Sequence, residues 1–169
     1  MARSHRPRLS RGLLAGAAAG LLAAWVMNQS LATWSRAQAA LERSTKKSEP
    51  EEEDSTEKVA DAIACAITGQ HLSRQAKKQA GPLVHYGFGC VMGSAYGAIA
   101  EYSSQARLGF GTLFGAVLFV GADEIVVPAL GLGKSPAEDT ISNQVSHLAA
   151  HLVYGAAVEI GRRGLRSLL

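Results

Sequence analysis

Two cysteines in 169 residues, Cys65 and Cys90, are too few for a disulfide framework. Cys90 also lies inside an apolar run, where a small thiol packs as an inert side chain. The chain has no Gly-x-x-x-x-Gly-Lys phosphate loop and no His-Glu-x-x-His zinc helix, so neither a nucleotide cradle nor a metalloprotease signature is present. No nucleophile is legible beside a base and an orienting group, and no enzyme activity or cofactor is expected. Charge is scarce as well: Asp, Glu, Lys and Arg make up 18% of the chain. They gather near the N-terminus, between Arg36 and Lys78, and after Arg162, which leaves the remainder apolar although the mean hydropathy is only +0.07. The pI of about 9.0 does not point to nucleic acid. Arg3, Arg6, Arg8 and Arg11 precede the first apolar run, and Arg162, Arg163 and Arg166 follow the last, as in loops kept in the cytoplasm by positive charge.

The apolar runs are long. Residues 12–34 can cross the roughly 30 Å hydrocarbon layer at about 1.5 Å per residue, with Trp25 and Trp34 as interfacial anchors. A cleaved signal peptide competes with this, because Ala37-Gln38-Ala39 has cleavage-like spacing, but the run exceeds a usual signal core and reads as an uncleaved anchor. Residues 35–80 form a polar linker with an acidic run at 49–54 that should be solvated. Within it a short amphipathic helix is expected over about 56–68, with Asp54 as N-cap, Glu57 three residues on and Gly69 as stop. Gly81-Pro82 should break what precedes it and begin a second span at about 82–102. A third run, about 108–130, contains Asp123, Glu124 and Pro128, and can end or break before crossing. A loop at 131–140 leads to a fourth span at about 141–161 with a basic tail. The expected fold is thus all-α: a multi-pass membrane bundle of four glycine-rich transmembrane helices plus one amphipathic helix. Four crossings return residues 1–11 and the C-terminal tail to one side, the cytoplasm by the charge rule.

Glycines repeat every four residues: Gly12, Gly16 and Gly20, then Gly89, Gly93 and Gly97, then Gly111 and Gly115. Each set makes one smooth stripe on a helix, and such stripes pack helices where lipid removes the hydrophobic drive. Packing within the chain is favoured, with a homo-oligomer through the same stripes as the alternative.

Ionisable residues inside apolar runs are costly and count as candidate functional groups. They are His85, Asp123, Glu124, His147, His151 and Glu159, with Glu101 at the end of its run near Arg107. His147 and His151, four residues apart, share a helix face on which Glu159 falls two turns further on. Three readings fit: interhelical hydrogen bonds that fix packing, a titrating relay or pH sensor, and a metal half-site. The first is the plainest.

The stretches AGPLVHYGFG (80–89), ADEIVVPALG (122–131) and SHLAAHLVYGAAVEIGRR (146–163) resemble the YagU-like bacterial inner-membrane proteins, a domain family of unknown function. The resemblance implies a multi-pass protein of the bacterial inner membrane and brings no activity, ligand or functional residue with it. The sequence therefore points to a non-enzymatic membrane protein, stress- or pH-responsive through its buried His and carboxylate groups. A small transporter or channel subunit, with a polar His/Asp/Glu path for protons or divalent cations, is the alternative.

Overall fold

A run of Ala, Leu and Gly without proline favours an uninterrupted helix, and in the computed structural model, which describes residues 8–41 and 53–168, the first helix α1 spans Leu9–Leu41. It passes the expected limits at both ends. Arg3, Arg6 and the acidic residues 49–52 lie outside the described residues. Helix α2 covers Ser55–Thr68. Asp54 caps it, its carboxylate accepting the Thr56 N–H at 2.8 Å, and Gly69 ends it in the left-handed conformation, φ 73°, its N–H donating to the Cys65 carbonyl.

Helix α3 runs over Arg74–Tyr102 and corrects the expected start at Pro82. Ser73 provides an earlier N-cap, its hydroxyl accepting the Ala76 N–H, and Pro82 is carried inside the helix at the loss of one N–H. Its first turns are held by α2. Asp61 of α2 accepts the Leu72 N–H at 2.7 Å and pairs with Lys77 at 3.1 Å, while Gly81 lies against Thr56 and Glu57. The Leu72 amide, helped by His71 and Lys77, holds the Asp61 carboxyl down at about 2, so it stays ionised across the neutral range.

The expected third helix begins later than residue 108. Gln105–Gly111 forms a 3₁₀ segment in which Leu108 is extended and Gly109, Phe110 and Gly111 adopt positive φ. Helix α4 follows as an α-helical stretch Thr112–Leu118, a π-helical stretch Phe119–Val126 and a last turn Val127–Ala129. Asp123 and Glu124 do not end this helix. They occupy its π-helical part, and Pro128 sits in the final turn. Helix α5, Ile141–Leu168, continues through Arg162 and Arg166, which the sequence reading placed in a tail. Five helices and no strand make up the described residues. Of these, α1 and the segment Gln105–Ala129 are long and apolar enough to cross a membrane.

Side-chain size explains the arrangement. Helix α1 lies between α3 and α5, and α4 packs on α5. The chain runs antiparallel from α1 to α3, so that Gly12 meets Gly97, Gly16 meets Gly93 and Gly20 meets Gly89. A Cβ placed on Gly93 would lie 2.6 Å from Gly20 Cα and 2.9 Å from its nitrogen, so backbone touches backbone. The neighbouring face of α1 presents Ala19 to Gly161 of α5. A second clasp joins α4 to α5, where Gly111 faces the Gly155 backbone and Gly115 the His151 carbonyl. Gly155 was not among the expected packing glycines. Gly111 meets two demands together, a φ of 86° and this close approach, which no other residue satisfies without strain.

The interior therefore holds small and polar side chains. Ala15, Ala19, Ala23, Ala24 and Ala150 are buried, with Tyr96 and Tyr154 filling the space between α3 and α5. Large aliphatics point outward: Leu14, Leu22, Leu83, Val91, Val117 and Ile160 are each more than half exposed. This inverts the usual soluble pattern.

Gly93→Ala should destabilise the protein by about 1–3 kcal/mol, because overpacking against a backbone has no cheap relief. Gly87→Ala, where a Cβ meets nothing within 4 Å, should be neutral or stabilising by up to about 1 kcal/mol. Thermal melts in detergent, followed by Trp25 and Trp34 fluorescence, separate the two. Equal melting temperatures would refute the close-packed assignment.

Candidate functional site

The polar side chains on α5 are set by helical spacing into two groups. The one nearer the loop contains His147 and His151, one turn apart and facing α4. Asp123 meets them from the π-helical stretch: the His147 Nδ1–H donates to Asp123 Oδ2 at 3.3 Å, and His151 Nδ1 lies 3.8 Å from the same oxygen. The stronger bond of His151 is to its own helix, Nδ1–H donating to the His147 carbonyl at 2.9 Å. Both neutral imidazoles then carry their lone pair on Nε2, the atom that would take a further proton. They differ in access. The His147 side chain is 40% exposed and that of His151 only 6%, its ring against Phe119. One carboxylate oxygen thus serves a reachable histidine and an enclosed one, from a helical stretch whose hydrogen-bond register is the uncommon one. Such π-helical insertions recur at functional sites.

His85 is placed elsewhere. Its Nε2–H donates to the Ala24 carbonyl of α1 at 3.3 Å, and its ring stands edge-on to Tyr86, whose hydroxyl accepts from Asn28 at 3.4 Å. Glu124 is half-buried beside Asp123 and joins neither histidine among the described residues.

Glu159 corrects the sequence reading more sharply. It shares the helix but not the group, and forms the second centre with arginines expected in a basic cytoplasmic tail. Its carboxylate is 0% exposed and receives four donors: Arg162 Nε at 2.8 Å and Nη2 at 3.1 Å, Arg163 Nε, and the Tyr96 hydroxyl at 2.9 Å. Arg162 is itself buried, and Arg163 stacks over the Phe110 ring with 4.5 Å to its centroid. Glu101, expected near Arg107, instead takes Arg166 in a bidentate pair at 2.6 and 3.1 Å and the Arg8 N–H at 3.1 Å. These contacts tie α1, α3 and α5 together at the end where both described termini lie. Spacing gave a signal for part of this, since Glu159 is three and four residues before Arg162 and Arg163. The partners across helices had none.

The sequence reading also missed a third grouping. On α2 and the loop after it, Asp61, Cys65 and His71 come together outside the apolar runs. Their four- and six-residue spacings were the available sign. No three of His, Cys, Asp and Glu are arranged to hold a metal ion among the described residues, so the metal half-site gains no third ligand.

A family model described as protein of unknown function (DUF1440) matches residues 43–160. The chain belongs to that family. The match takes in α2, α3, α4 and α5 as far as Ile160, and so includes Asp123, His147, His151 and Glu159, while α1 and the three C-terminal arginines lie outside it. No curated protein and no solved structure matches the chain.

Removing the Glu159 carboxylate leaves a buried guanidinium unpaired. Glu159→Ala should therefore cost about 3–5 kcal/mol. Combined with Arg162→Ala, the loss should fall short of the sum of the single losses by about 1–3 kcal/mol. Unfolding in mixed micelles checks this cycle, and strict additivity would show that the pair carries no coupling.

Proposed function

We propose that the chain is a multi-pass membrane protein in which α1, α3, α4 and α5 all cross the bilayer, and that it responds to pH through Asp123, His147 and His151 without enzymatic turnover. The inverted side-chain distribution supports four spans. Helices α3 and α5 are less apolar on average because they carry His, Glu and Arg, yet Glu101, His151, Glu159, Arg162 and Arg166 turn inward while Leu83, Val91, Ile99 and Ile160 face out. Lipid contacts the outward face alone, so an average over the helix understates its fitness for the bilayer. The facing glycines then act as close-packing stripes within one chain, and a homo-oligomer would need other surfaces. Arg8, Arg11, Arg107, Arg162, Arg163 and Arg166 collect at one end, which by the positive-inside rule is the cytoplasmic one and holds both termini. The YagU-like resemblance adds the bacterial inner membrane. The partner this requires is the lipid bilayer; nucleic acid plays no part.

The observation that carries the functional half is the shared Asp123 oxygen. A proton arriving on His147 turns its hydrogen bond to the Asp123 carboxylate into an ion pair. His151, enclosed beside it, then meets a carboxylate already engaged. Because Asp123 sits in π-helical backbone, the element that can answer is α4, by shifting toward regular α-helical register. The paired arginines and carboxylates close the opposite end, which favours sensing over conduction.

Hydrogen exchange of residues 119–126, measured on the purified protein at pH 5 and pH 8, should differ by severalfold in wild type. It should not differ in His147→Gln/His151→Gln. Wild-type exchange that tracks only the intrinsic pH dependence of amide exchange would sink the proposal, as would a response that survives in the double variant.

A further inference from the structure

We propose that Cys65 is a thiol-exchange site, activated by His71 and Asp61, that reacts with low-molecular-weight disulfides. It lies on the α2–α3 hairpin, outside the apolar spans, and is independent of the histidines discussed above. The three side chains stand in the order nucleophile, base, orienter. Cys65 Sγ is 3.8 Å from His71 Nε2, and His71 Nδ1 is 3.0 Å from Asp61 Oδ2. Asp61 is fixed by the Leu72 N–H and by Lys77, which also pairs with Glu53. An ionised Asp61 takes the Nδ1–H, which leaves the Nε2 lone pair directed to the thiol. The contact from sulfur to nitrogen is long for proton transfer and of the kind that tightens when a reactant binds. Access is open: the His71 side chain is 75% exposed, and Cys65 lies partly at the surface.

The surroundings select the chemistry. Acyl transfer needs N–H donors for an oxyanion, but three of the nearby amides are engaged. The Gly69 N–H donates to the Cys65 carbonyl, the Gln70 N–H to Thr68 Oγ1 and the Leu72 N–H to Asp61. Thiol–disulfide exchange develops charge on sulfur alone and needs no such hole. In the step, His71 Nε2 takes the Cys65 proton as sulfur attacks one sulfur of the incoming disulfide. A Cys65–sulfur bond forms, the disulfide bond of the reactant breaks, and the departing thiolate receives the proton from His71. Cys65 is oxidised to a mixed disulfide while the reactant is reduced to one free thiol. The charged groups facing the site are Asp61 on α2, Lys77 on α3 and Glu53 before α2.

The test uses full-length protein carrying Cys90→Ala in detergent, with 2,2′-dithiodipyridine as the disulfide and release of its thione as the readout. At pH 7, Cys65 should react at least about tenfold faster than in His71→Gln, a factor below the usual range for general acid–base catalysis. Circular dichroism should show unchanged helix in that variant, since the His71 side chain is largely exposed and lies in the loop between α2 and α3. In Asp61→Asn the side-chain oxygen can still accept the Leu72 N–H, so the hairpin persists. This variant should slow the reaction and change its pH–rate profile. Equal rates in wild type and His71→Gln would overturn the proposal. A slower Asp61→Asn with an unchanged profile would overturn the orienting role of Asp61 and reduce it to support of the hairpin.

Discussion

How near α1 can come to α3 decides most of what this molecule can be. Where Gly16 meets Gly93, and Gly20 meets Gly89, there is no side chain between the two backbones. Dispersion falls off so steeply that a gap of even 1 Å forfeits a large part of each contact, and six glycines in facing register remove that gap along three turns. The consequence reaches beyond this pair. With α3 drawn onto one face of α1 and α5 onto the next, Tyr96 and Tyr154 are left to span the remaining distance between α3 and α5. They do so with hydroxyls that reach Glu159 and the Gly89 carbonyl. The polar centres depend on these distances, since a wider bundle would leave Glu159 without Tyr96.

The same packing accounts for which polar groups are fixed. Glu159 accepts four hydrogen bonds and has no lone pair in excess, and Glu101 is held by Arg166 and the Arg8 amide from two other helices. A saturated network of this kind is rigid, because any displacement strands a buried charge. It locks one end of the bundle. The loop end is built differently, with α4 anchored mainly to α5 and its hydrogen-bond register disturbed over Phe119–Val126.

Much of this was legible in the sequence because it is periodic. The four-residue glycine spacing marked which helix faces are smooth, Asp54 and Gly69 marked the ends of α2, and the spacing of His147 and His151 put them on one face. What escaped was decided by partners far apart in the chain. Pro82 looked like a start because the sequence does not show α2 holding Arg74–Gly81 in helical form. Glu159 looked like part of the histidine face because two turns of helix bring it into line, but the neighbouring helix at that level offers Tyr96 rather than a carboxylate. Arg162 and Arg166 looked like solvated flanks because nothing local reveals that Glu159 and Glu101 draw them inward. Gly155 escaped for a simpler reason, being a lone glycine whose partner, Gly111, lies in another helix.

Seen together, the polar groups fall into a graded series, and the gradation bears on where change can occur. At the arginine end every strong acceptor is matched, and the energy of rearrangement is high. At the histidine end a single carboxylate oxygen stands between two imidazoles that each keep a free nitrogen, one of them within reach of water. A proton added at the first end would have to displace an arginine, whereas one added at the second finds a vacant lone pair and a waiting counter-charge. The helix bearing that counter-charge is also the one with the least regular backbone, and it packs mainly on α5. The histidines proposed to take up a proton and the π-helical stretch therefore meet at Asp123, and the glycine-clasped remainder serves as the frame against which any movement of α4 would be measured.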